Sequence, residues 1–236
     1  MAPMHVSVAK RRAFHQWKPR QPLQVRFFHV VWLFLLVSVV GLMGEVLVSY
    51  LIDGRWESRT GYVLGQMSPL YGLGAVVMTL VVNPLRGRAV PLQFLAAGLA
   101  GGLVEYFAGW FFESRYGIVA WSYAGQPFNL HGHTSLAMMA VWGAIGVAWA
   151  LWALPFALNL INRMPQTIRV PLTAIACAYI LIDSTLTLAC FDSWFWRMSG
   201  APISNPLQQF CTTYFNDNFM GSRFETMSMW TSLASR

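Results

Sequence analysis

The chain has 236 residues, 56% of them hydrophobic and only 11% charged, with a formal net charge of +7. A soluble domain of this length needs far more charge on its surface, so the composition excludes one and points to an all-α, polytopic membrane protein. The positive excess does not indicate nucleic acid as a partner, because juxtamembrane arginines set topology and meet anionic lipid; the expected partner is the lipid bilayer.

Residues 1–26 form a basic head carrying Lys10, Arg11, Arg12, Lys18, Arg20 and Arg26 with no acid among them. The apolar run that follows is too long for a signal-peptide core and ends in no small-residue cleavage pattern, so the first span is expected to stay in the membrane. Five spans fit, at about 27–51, 68–84, 92–112, 134–158 and 169–190, against the roughly 20 apolar residues that cross a 30 Å hydrocarbon core. Asp53-Gly54-Arg55 closes the first. The second opens at Ser68-Pro69, is short, and is expected to be tilted or incomplete; Asn83-Pro84 and Arg86-Gly87-Arg88 close it. Pro155 should kink or end the fourth span, and Arg163, Pro165 and Arg169 separate it from the fifth. The domain reading is therefore a cytoplasmic head (1–26), a transmembrane helical domain (27–190) and an aromatic and polar extracytoplasmic tail (191–236) that starts with an interfacial belt, FDSWFWRM.

Charge sets the orientation. Ten Lys or Arg fall on the side of the N-terminus and six on the other, where Arg55, Arg59 and Arg115 have acids nearby. The N-terminus is expected inside and the C-terminus outside a bacterial-type cytoplasmic membrane. The three cysteines have no metal-type spacing; Cys190 and Cys211 follow the last span and could pair if that end lies outside.

Three carboxylates fall inside the spans: Glu45, Glu105 and Asp183. Each costs about 2.5–3.5 kcal/mol at a helix centre, so each needs a compensating role. Each also lies six or seven residues before the outer end of its span, roughly 10 Å deep at 1.5 Å per residue, which gives all three one depth. Gly98, Gly102 and Gly109 flank Glu105 on one helical face, Ser38, Gly41 and Ser49 flank Glu45, and Tyr179 and Thr187 flank Asp183. Such faces meet protein rather than lipid.

Between spans three and four lies WSYAGQPFNLHGHTSL, residues 121–136, read as a polar re-entrant or interfacial segment. It places His131 and His133 near the outer ends of the acid-bearing spans. Acids and imidazoles together suit a divalent metal, a proton relay or general acid–base chemistry. The alternative is structural: a glutamate bonding one helix to another, and histidines anchoring at the interface. No phosphate loop, nucleophile elbow or HExxH motif is present.

The stretch GEVLVSYLIDGRWESRTGYVLGQMSPLYGLG resembles the opening signature of the ABC-transporter permease family of the CmpB type. The shared positions are Glu45, Arg59, Gly61, Gly65, Pro69, Tyr71, Gly72 and Gly74, then Glu105, Trp121, Tyr123, Phe128, Asn129 and Gly132, then Trp142-Gly143. Thr60 interrupts the family's Arg-Gly pair, Ser122 replaces the acid of its Trp-Asp-Tyr element, and His131 and His133 are not part of its pattern. The resemblance implies a multi-pass, permease-like transport component. With no ATPase motif here, an ABC role calls for a separate nucleotide-binding subunit, and five spans call for that subunit or a homo-oligomer to enclose a path. Glu45, Glu105 and Asp183 are the expected chemical centre. Arg59, Tyr71, Trp121, Tyr123 and Asn129 are expected to contact substrate, and His131 and His133 are the metal candidates. The competing readings are a membrane-embedded enzyme acting on a lipid or lipid-linked substrate at the outer leaflet, and a non-catalytic membrane partner.

Overall fold

The structure is a computed structural model that describes residues 21–54 and 56–227. The head cations Lys10, Arg11, Arg12, Lys18 and Arg20, and Arg55, lie outside the described residues. Apolar sequence with few helix breakers gives α1 (Phe27–Asp53), α2 (Pro69–Val82), α3 (Val90–Tyr116), α4 (Leu136–Ala148), α5 (Leu154–Asn162) and α6 (Gln166–Met198), followed by the short α7 (Pro206–Tyr214) and α8 (Asp217–Arg223). Helices α1 and α3 stop alike. Gly54 (φ 70°) and Gly117 (φ 65°) take the left-handed conformation, and their N–H groups donate back to the Tyr50 and Glu113 carbonyls.

Among the described residues four helical stretches are long and apolar enough to cross a membrane: α1, α3, Leu136–Asn162 and α6. The expected second span, α2 with its terminal turn, runs only from Pro69 to Leu85. Its start explains the shortfall. The Ser68 N–H donates to the Ser38 carbonyl at 3.0 Å, and Ser38 lies fifteen residues before the end of α1, about 22 Å down that helix. Residues 56–68 thus re-enter the bundle as non-helical chain, and α2 continues to Asn83, whose side chain bonds both backbone groups of Leu23 at 2.9 Å. A polar re-entrant or interfacial segment is expected between the third and fourth spans, and there Tyr123 and Thr134 reach Glu105 on α3. The non-helical chain between α1 and α2 is a further one that the sequence reading did not include.

Pro155, expected to kink or end the fourth span, does not end it. A five-residue π turn, Trp149–Ala153, precedes it, and the helix continues to Asn162. In the π register the Leu154 N–H reaches the Trp149 carbonyl. The next bond, to Ala150, would need the N–H that Pro155 lacks. Arg86 supplies the donor from outside, its guanidinium bonding the Ala150 carbonyl. Helix α6 also runs past the expected end at residue 190, so FDSWFWRM continues the helix rather than opening a tail.

The small-residue stripe on α3 lets α4 and the following hairpin approach. A Cβ at Gly101 or Gly102 would strike Trp142 or Met139, and one at Gly109 would strike the His133 ring. A Cβ at Gly98 would stand 2.6 Å from the Met139 carbonyl oxygen, and one at Gly143 2.8 Å from that of Phe94. Backbone cannot swing aside as a side chain can. Gly98→Ala and Gly143→Ala are therefore expected to destabilise the protein by about 1–3 kcal/mol each. Gly44→Ala, with nothing within 4 Å, should gain up to about 1 kcal/mol of helix propensity; melting in mild detergent reads both signs.

The two ends of the bundle differ. At one, Leu23, His29, Asn83, Asn162 and Arg169 interlock; His29 pairs with Asn162 at 3.0 Å and the Arg169 guanidinium lies over the Phe28 ring. At the other, α7 and α8 fold over the end of α6 as a cap around Phe191, Trp194, Cys211, Met220 and Phe224.

Candidate functional site

A cavity of about 370 Å³ lies beneath this cap. Helix α1 contributes Glu45, the re-entrant chain Arg59, Thr60 and Gly61, and the start of α2 Ser68 to Tyr71. Glu105 comes from α3, Trp142 from α4, and Trp121 and Tyr123 from the segment between those helices. Six of the ten residues singled out in the sequence therefore line one space: Glu45, Arg59, Tyr71, Glu105, Trp121 and Tyr123.

The two glutamates are treated differently. Glu45 forms an ion pair with Arg59 at 3.2 Å, and Arg59 is shared with Glu57 at 2.9 Å. Glu105 is buried at 5% exposure. It accepts hydroxyl hydrogen bonds from Tyr123 on one oxygen and Thr134 on the other, both at 2.8 Å, and it has no salt bridge among the described residues. Burial, then the hydrogen bond to Glu105 and that carboxylate's charge, push the Tyr123 phenol above its ordinary value. It therefore stays a proton donor at neutral pH.

The segment that supplies Tyr123 is built to hold its shape. The Trp121 indole N–H donates to the His133 carbonyl at 2.9 Å, and the Tyr123 N–H to that of Gly132 at 2.8 Å. A two-residue hairpin, β1 (Asn129–Leu130) on β2 (Thr134–Ser135), follows. Asn129 does not face the cavity; its amide donates to the Ala124 and Gln126 carbonyls and its oxygen accepts the Gly132 N–H. The turn carries positive φ at His131 (52°) and Gly132 (76°). Ser135 then caps α4 through Met138 N–H and donates to Gln126.

His131 and His133 part company. His131 Nδ1 lies 3.1 Å from the Tyr106 hydroxyl, and His133 Nε2 lies 3.4 Å from Glu113. No group of three or more His, Cys, Asp or Glu suited to a metal ion is gathered among the described residues.

Asp183 stands apart from the cavity and is fully buried. Its carboxylate accepts the Leu64 N–H at 3.1 Å, the Gly65 N–H at 2.8 Å and the Thr187 hydroxyl at 3.3 Å. It therefore holds the re-entrant chain, which passes between it and Glu45. Arg223 completes the clasp from α8, donating to the Tyr62 carbonyl at 3.0 Å and the Gly65 carbonyl at 2.8 Å. Burial draws the Arg223 guanidinium below its usual value, and the Asp183 charge opposes this. Sequence reading missed Arg223, Thr134 and Glu57; only Glu57, two residues from Arg59, carried a local signal.

The long apolar helices define an all-α membrane protein, and its family marks it as transport-related. The family model described as Putative ABC-transporter type IV, of the CmpB type, matches residues 32–188. The chain belongs to that family. No curated protein and no solved structure matches it.

Proposed function

We propose that this chain is a permease-like membrane subunit whose cavity receives a small cationic solute from the outer side. The observation that carries the reading is Glu105, a buried carboxylate that accepts from two hydroxyls and has no salt bridge among the described residues. An acid in a low-dielectric site calls for a positive partner. The surrounding Tyr71, Trp121, Tyr123 and Trp142 suit an ammonium group, since cations bind aromatic faces with about 0.5–2 kcal/mol each. Non-helical backbone at membrane depth is tolerated where it lines such a cavity.

Charge supports the orientation. The basic end bears Arg26, Arg86, Arg88, Arg163 and Arg169 with no acid, whereas Asp53, Glu57, Glu113, Asp192, Asp217 and Glu225 all lie at or beyond the opposite end. There Arg115 pairs with Asp192, and Arg197 with Asp217 at 2.7 Å. By the positive-inside rule the cavity's end is outside. Nucleotide hydrolysis would come from a separate subunit.

One observation favours the lipid reading as second choice. An apolar groove of about 750 Å³ between α2 and α3 shares Pro69, Leu70, Ala108 and Phe112 with the polar cavity, so a ligand with a hydrocarbon tail could lie across both. Titration of the detergent-purified protein with tetramethylammonium and with neutral tert-butanol tests the first choice. Saturable binding of the cation alone is expected. Equal response to both would remove the cationic reading, and a stoichiometric co-purified lipid in the mass spectrum would favour the second.

A further inference from the structure

Cys190, late in α6, and Cys211, in α7, are both buried and stand as thiols with their Sγ atoms 3.1 Å apart. A bonded pair sits at about 2.05 Å, so small side-chain rotations close the gap. The third cysteine of the chain, Cys177, lies thirteen residues earlier on α6, about 20 Å away along the helix, and does not compete. The pair sits inside the cap's apolar cluster, between Phe191, Trp194, Met220 and Phe224. On the orientation proposed above, on which this inference rests, this end faces the outer side, where disulfides persist.

We propose that Cys190 and Cys211 form a disulfide that locks the α7–α8 cap onto α6 and so keeps the polar cavity roofed. The lock reaches the cavity through named contacts. Arg223 holds the Tyr62 and Gly65 carbonyls, the Ser58 hydroxyl donates to the Arg223 carbonyl at 2.7 Å, and Thr226 and Met227 line the cavity itself. The oxidant is an extracytoplasmic protein that carries a reactive disulfide. One cysteine thiolate attacks that disulfide to give a mixed disulfide, and the second displaces the oxidant's sulfur. The Sγ–Sγ bond forms, the oxidant's S–S bond breaks, and two protons and two electrons pass to the oxidant as its two thiols. Burial means the exchange precedes final packing of the cap, and that the finished bond resists reductants until the cap opens.

The test uses full-length protein, acid-quenched from cells, denatured and alkylated with N-ethylmaleimide before intact-mass analysis. One adduct is expected without reductant and three after reduction, and Cys177→Ser should take the first number to zero. Three adducts without reductant would overturn the pairing. An epitope at the C-terminus, probed on intact cells, tells whether such a failure comes from the pair itself or from an inward-facing cap, in which case the proposal falls with the orientation. For the lock, reduction is expected to lower the melting temperature in detergent by roughly 5–10 °C and to expose the 56–68 segment to protease. An oxidised pair whose reduction changes neither would overturn the locking role.

Discussion

Asp183→Ala is expected to be the most damaging single substitution for stability, lowering it by about 3–5 kcal/mol. The carboxylate is fully buried and accepts from two consecutive backbone N–H groups of the re-entrant chain as well as from Thr187. Truncation removes both acceptor oxygens, and with them all three hydrogen bonds, at once. Neither Leu64 nor Gly65 can turn to water without pulling the chain out of the bundle, and each stranded N–H costs about 1–3 kcal/mol. Asp183→Asn keeps one acceptor oxygen and turns an amide donor toward the other N–H, so an intermediate loss is expected. Melting in mild detergent orders the three proteins, and limited proteolysis within 56–68 localises the opening. Alanine and wild-type proteins with equal melting and equal resistance would mean that the re-entrant chain is held by something else.

Glu105→Gln is expected to have the largest effect on function, weakening tetramethylammonium binding ten- to a hundredfold, or about 1.4–2.8 kcal/mol. The change is isosteric and leaves a hydrogen-bonding side chain opposite Tyr123 and Thr134. What it removes is the charge that lacks a salt bridge among the described residues. Thr134→Val is the discriminating control. It deletes one hydroxyl donor and leaves the carboxylate, so binding should be retained or strengthened if attraction to the cation matters. Loss of binding in both variants to the same degree would point to cavity shape, not charge. Glu45→Gln should act less, since Arg59 already meets that acid and remains tied to Glu57.

The helical membrane class and most of the cavity were legible in the sequence because a carboxylate in an apolar helix is expensive, so Glu45 and Glu105 announce a polar site wherever they fall. The aromatic partners Trp121 and Tyr123 were reachable through the family motif. Depth misled at Asp183. Three acids at one level need not meet, because level fixes height in the bilayer and says nothing of which helices come between, and here the re-entrant chain does. The family signature marked Arg59, Gly61 and Gly65 within RTGYVLGQM, but the seating of that chain was illegible because it depends on Asp183, Thr187 and Arg223, all more than a hundred residues away. Asn129 matched the motif for a different reason than expected, since its amide builds the turn that aims Tyr123 and Thr134 at Glu105.

The Ser68-to-Ser38 bond bears on how the protein is made. When the ribosome has completed α2, residues 56–68 have only α1 partners such as Ser38 and Glu45 available, since those on α6 and α8 follow 118 to 165 residues later. The insertion machinery must therefore release α1 and α2 with a polar stretch unsettled between them. That stretch gains its full set of partners only once translation is nearly finished. A ribosome stalled before α6 would leave a membrane-inserted but immature protein, a natural substrate for membrane quality-control proteases.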